Sequence, residues 1–172
     1  MENSKVNIIF KYEISPTNNF LCNDSTIRNF TIKSDGQIVY EQFEFDSNNR
    51  ILKECININN KIVNKIEKII VDNFEKIISI PDNIYNDSCD GNFEIFTFLN
   101  KKIETMNIEK HDLKSLKVRD LKIYNKYKNI MIWENIIIDI VEQIHQILSE
   151  YDIINIFDYT WNKKIYKSIN NC

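Results

Sequence analysis

Alanine is absent from this chain, and glycine and proline occur only twice each. Phosphate-cradling loops and nucleophile elbows need backbone that reaches positive φ or approaches a ligand closely. Gly36 and Gly91 stand alone, and two isolated glycines build neither. Several large enzyme classes are thereby set aside. The four cysteines, Cys22, Cys55, Cys89 and Cys172, are far apart, with no CxxC and no Cys/His cluster. That spacing does not suit a zinc site, and free thiols in a reducing compartment are expected. No cofactor-binding motif is present, and no cofactor is expected.

Long apolar runs are missing too. A membrane-spanning helix needs about 18 apolar residues. The best stretch, Ile130 to Ile147, is broken by Glu134, Asn135, Asp139, Glu142 and Gln143. Near the N-terminus, Val6-Asn7-Ile8-Ile9-Phe10 is far shorter than a signal core. A cytoplasmic location is expected, with no membrane partner. Net charge is −3, without the basic excess of a general nucleic-acid binder, so nucleic acid is not an expected partner.

What fills the chain is isoleucine (34), asparagine (25) and lysine (19). All three are spelled by A/T-rich codons, whereas Ala, Gly and Pro need G/C-rich ones. The bias reads as the imprint of a low-GC microbial genome, so an Asn cluster or a Lys pair carries little weight here. A chain of 172 residues makes one domain, 1–172, and is long enough to bury a core without staples.

The first third reads as an antiparallel meander. Strands are expected at Val6 to Ile14, Ile27 to Lys33, Gln37 to Phe45 and Arg50 to Ile58. Asp35-Gly36 supplies the positive φ of a tight hairpin. Asn59 or Asn60 then caps a helix whose apolar stripe runs from Ile62 to Ile78, ended by Pro81. A polar loop, Pro81 to Asn92, precedes a central hairpin with strands Phe93 to Leu99 and Lys102 to Ile108. The stretch 112–129 is ambiguous, with helix favoured. From Ile130 a second main helix carries Trp133, Ile137, Ile140, Val141, Ile144 and Leu148 on one stripe. The tail, Asp152 to Cys172, is too apolar for a loose end. The expected class is α+β: an antiparallel sheet, built from the meander and the hairpin, packed against two main helices.

Large apolar residues fall on both faces of the expected sheet. Phe93, Ile95 and Leu99 share one face of the hairpin, and Phe96 and Phe98 the other. A sheet with one solvated face should alternate more cleanly, so cover over both faces is expected. Ile38, Tyr40, Phe96 and Phe98 are the candidate interaction patch, with core packing as the competing assignment.

Candidate chemistry concentrates in the Asp82–Asp90 loop. Asp82, Asp87 and Asp90 could converge on a cation, with His111 as a further group. The register of a calcium loop fails, since Thr97 would fall at the position of the bidentate carboxylate. Local turn bonding by Asp and Asn accounts for the same residues. No catalytic residue and no metal ligand is assigned. The Lys110 to Lys128 segment, with Tyr124 and Tyr127, has the pattern of a nucleic-acid footprint, but also that of a solvated helix face in a lysine-rich chain.

The expected function is a non-catalytic protein–protein interaction module, with a protein partner or a second copy. Its narrowest version is immunity- or antitoxin-like. The alternative is a small enzyme or a ligand- or metal-binding domain using the Asp82–Asp90 loop.

Overall fold

A computed structural model describes residues 6–16, 26–85 and 92–153. Among these, seven strands form one sheet: β1 (Ile8–Pro16), β2 (Thr26–Lys33), β3 (Gln37–Glu44), β4 (Arg50–Asn57), β5 (Asn83–Ile84), β6 (Asn92–Phe98) and β7 (Lys101–Met106). Their order is β4-β3-β2-β1-β6-β7-β5, antiparallel throughout except for the short β5–β7 pair. Four helices accompany it: α1 (Asn60–Asp72), α2 (Phe74–Ile78), α3 (Leu113–Arg119) and α4 (Leu121–Glu150). The fold is α+β, a sheet packed on helices.

The Asp35-Gly36 hairpin forms where the sequence places it. Gly36 sits at φ 85°, and its carbonyl accepts the Ile58 amide at 2.8 Å. This bond brings the end of β4 back to the hairpin and sets where α1 begins. Asn59 caps α1, its side chain accepting from the Ile62 amide at 3.1 Å.

The expected single helix from Ile62 to Ile78 is two. Asn73 interrupts it, bonding the Ile69 carbonyl through its side chain at 2.9 Å and pulling its own amide onto the Ile69 and Ile70 carbonyls. A short amide side chain competing for backbone groups is a common reason for such a break. The ambiguous stretch 112–129 is helical, in two pieces. α3 ends at Asp120, which turns the chain and caps α4 by accepting the Ile123 amide at 3.0 Å. α4 therefore starts at Leu121 rather than Ile130, and its 30 residues span about 45 Å.

The core lies on one face of the sheet. Phe10, Tyr12, Phe30, Ile32, Ile38, Phe96, Phe98 and Ile103 project from it, and α1, α2 and α4 close over them with Ile62, Ile66, Ile70, Ile77, Ile137, Val141 and Ile144. Burying each of these side chains stabilises the fold by roughly 1.5–3 kcal/mol. Packed rings replace the missing small residues: Tyr12 stacks on Phe96 at 4.8 Å between centroids, and Phe10 meets Phe98 at 5.5 Å in a tilted pair.

The opposite face mixes charged and apolar residues, so the expectation of apolar groups on both faces holds in part: Ile27, Val39, Phe43, Phe93 and Ile95 fall on it, and Val39 is buried. Lys11, Glu13, Asn29, Thr31, Glu41, Lys53, Thr97, Lys102 and Glu104 share it by register. Lys11 pairs with Glu13 at 2.8 Å and Lys102 with Glu104 at 2.7 Å. Two of these apolar residues have identifiable local neighbours. Ile95 lies between Glu13 and Glu104, whose methylene stems can shelter it. Phe93 stacks on Tyr85 at 6.4 Å.

Candidate functional site

Three of the buried polar side chains, Arg28, Glu94 and Thr105, fall in one cross-strand row. The register sets Gln42, Arg28, Ile14, Glu94 and Thr105 side by side on the helix-covered face. Glu94 is completely buried, and both of its oxygens accept. The Tyr12 phenol donates to Oε1 at 3.0 Å and the Ile108 amide to Oε2 at 3.0 Å. Burial first, and then the adjacent Glu94 carboxylate, hold the Tyr12 phenol well above its ordinary pKa, against a smaller opposing effect of Arg28. Tyr12 is thus a fixed donor. Arg28, nearly buried, donates to the Thr26 hydroxyl at 3.1 Å. Thr105 Oγ1 is buried with no hydrogen-bond partner.

An acid and a guanidinium in one row, with a phenol in the next, have the types needed for proton transfer. Their setting does not suit turnover. A general acid or base must reach a substrate proton directly or through one water. Tyr12, Glu94 and Thr105 are sealed beneath the helices, and the acceptors of Glu94 are engaged. The row specifies the packing of β1 against β6 and of β6 against the chain after β7.

A second acid–base pair lies nearer the surface. His111 Nε2 contacts the buried carboxylate of Glu134 on α4, and Glu109 Oε1 lies 3.7 Å from Nδ1. The Asn135 side chain takes the His111 amide at 2.8 Å and returns a bond to its carbonyl at 3.0 Å. The segment leading into α3 is thereby fastened to the middle of α4. Glu134 reads in the sequence as a mere interruption of an apolar stretch. Its position three or four residues from Met131, Ile137 and Ile138, all buried, is the signal that it points inward.

Asp82 does not join this pair. Its exposed carboxylate binds Lys101 at 2.5 Å and its carbonyl accepts the Glu104 amide, whereas His111 lies past the other end of β7. Asp87, Asp90 and Cys89 lie outside the described residues. Among the described residues no group of three His, Cys, Asp or Glu side chains is placed to hold a metal. The candidate patch of Ile38, Tyr40, Phe96 and Phe98 does share one face, but it is the face beneath the helices, and all four are buried. They are core, and a partner cannot reach them.

Two features do face outward. One is β4, an edge strand whose residues are exposed except for half-buried Ile56. The other is the arm formed by α3 and the start of α4. α3 has no buried residue, and the first buried residue of α4 is Met131, so ten helical residues, about 15 Å, run outside the core. Between Leu113 and Ile130 the arm carries six Lys or Arg against Asp120 alone, in a chain of net charge −3. Neither a scan against protein-family models nor a search of curated proteins finds a match to this chain.

Proposed function

We propose that this chain is a non-catalytic protein–protein interaction module that engages its partner along β4. The observation that carries the reading is the contrast between the two ends of the sheet. One end closes with the two-residue β5. The other is the eight-residue β4, with Ile51 53% and Leu52 37% exposed. An edge strand offers a row of backbone donors and acceptors, and strand addition uses that row for affinity while alternate side chains give specificity. Arg50, Lys53 and Glu54 on the same strand discourage indiscriminate pairing and favour a matched partner.

The partner is an extended segment of another protein or the β4 of a second copy. Occluding a partner in this way needs no reactive group, which suits the sealed row around Glu94. An immunity- or antitoxin-like role is the narrower form of the proposal. Solution mass beside an unbiased pull-down is the test. A retained partner or a dimer, lost on Leu52→Lys with the melting temperature little changed, supports the reading. A monodisperse monomer that retains no partner overturns it.

A further inference from the structure

The arm tip combines exposed aliphatic side chains with a dense cluster of cations. Val118, 90% exposed, lies in the last turn of α3, and Leu121 and Ile123, 55% and 44% exposed, open α4. Lys117, Arg119 and Lys122 alternate with them, and Lys114, Lys126 and Lys128 follow along the arm. The single carboxylate, Asp120, is engaged in capping the Ile123 amide. From this geometry we infer that the α3–α4 tip is a peripheral docking site for an anionic lipid surface. The aliphatic side chains enter the headgroup region, and the cations surround them.

Three kinds of acidic partner would answer the charge. A nucleic acid would leave the aliphatic tip in water. It would also find the arm's aromatic rings occupied, since Lys117 Nζ lies 5.8 Å from the Tyr124 ring centre and Lys126 Nζ lies 4.5 Å from that of Tyr127. Stacking of bases on such rings is the usual source of single-strand affinity. Protein interfaces are depleted in lysine, yet five of the six cations here are lysines. An anionic bilayer uses both properties: diffuse attraction of clustered lysines and shallow burial of aliphatic groups. The contact is peripheral, because no helix among the described residues is long and apolar enough to cross a membrane. It departs from the sequence expectation of no membrane partner, which weighed spanning segments alone. It is also independent of β4.

The test is co-sedimentation of the full chain with vesicles of phosphatidylcholine alone and of phosphatidylcholine with phosphatidylserine. Partitioning is expected to be about tenfold or more stronger on the anionic vesicles, and to fall with added salt. The triple variant Lys117→Glu, Arg119→Glu, Lys122→Glu should return it to the neutral-vesicle level. Val118→Ser with Leu121→Ser should weaken it several-fold while keeping its salt dependence. All five positions avoid the core, so circular dichroism should stay unchanged, and Leu52→Lys should bind vesicles like the parent chain. Equal partitioning on both vesicle types, no partitioning, insensitivity to the arm variants, or tighter retention by duplex DNA or RNA at equal phosphate concentration would overturn the inference.

Discussion

Tyr12 on β1 donates its phenolic proton to Glu94 on β6 at 3.0 Å, both side chains fully buried. The bond joins the N-terminal meander to the central hairpin by chemistry as well as by packing. Removing one member strands the other. Tyr12→Phe should destabilise the fold by about 1–3 kcal/mol. At this chain length that is a fall of roughly 2–4 °C in Tm per kcal/mol. A double-mutant cycle with Glu94→Gln should return a coupling of about 0.5–3 kcal/mol. Independent, additive losses in thermal denaturation would show that the bond does not link the two halves.

The same phenol sets an alkaline limit. Its folded pKa lies above its ordinary value of about 10, so the folded state holds the proton more tightly than the unfolded one. The stability this contributes is complete below pH about 10 and is lost as pH climbs from there toward the folded pKa. Denaturation in urea across that window should show a steepening loss for the parent chain and a shallower one for Tyr12→Phe. Identical profiles would remove Tyr12 as the cause.

Neighbouring residues of β6 should respond very differently to substitution. Phe96 faces the helices and Ile95 the opposite face. Phe96→Ala should cost about 3–5 kcal/mol. Ile95→Lys, flanked by Glu13 and Glu104, should cost less than about 1 kcal/mol or gain stability, since opposite charges across strands attract. Collapse of the Ile95 variant would show that this position is as tightly covered as the helix-facing side.

Gly36 should tolerate no side chain. Its φ is 85°, and a Cβ there would stand 2.4 Å from the Ile58 carbonyl oxygen. Gly36→Ala is therefore expected to cost about 1–3 kcal/mol or more and to loosen the β4–α1 junction. Hydrogen exchange at the Ile58 amide reads the second effect directly. Unchanged protection there would contradict it.

Edge binding has its own discriminator. If β4 receives a partner strand, Ile51→Lys and Leu52→Lys should weaken capture or dimerisation about tenfold or more, while Val71→Lys, equally exposed but on α1, should not. Loss in all three would point to general surface charge rather than to the strand.

Much of the fold is legible in the chain itself. The meander, the Asp35-Gly36 turn, the Asn59 cap, the hairpin about Asn100 and the apolar stripe of α4 are local patterns, and local patterns survive without knowledge of neighbours. Breaks are harder to read. Asn73 and Asp120 are ordinary residues in a chain with 25 asparagines and 25 acidic groups, and only their bonds to carbonyls and amides distinguish them. The candidate site was less legible still. Asp82 and His111 were matched by residue type, whereas the contacts made are Asp82 with Lys101 and His111 with Glu134.

Periodicity in this sequence fixes which residues lie on the same side of a strand or helix, because side-chain direction follows backbone geometry alone. Phe96, Phe98, Ile38 and Tyr40 are grouped correctly on that basis. Which side is dry is a different question, and no strand contains the answer. It depends on where α1, α2 and α4 settle, and they settle where the most apolar area leaves water, leaving Lys11, Glu13, Lys102 and Glu104 to the other side. Spacing aligns Glu94 with Phe96 and Glu134 with Ile137 and Ile138, but tertiary packing decides that those faces are buried and leaves β4 and the arm tip outside.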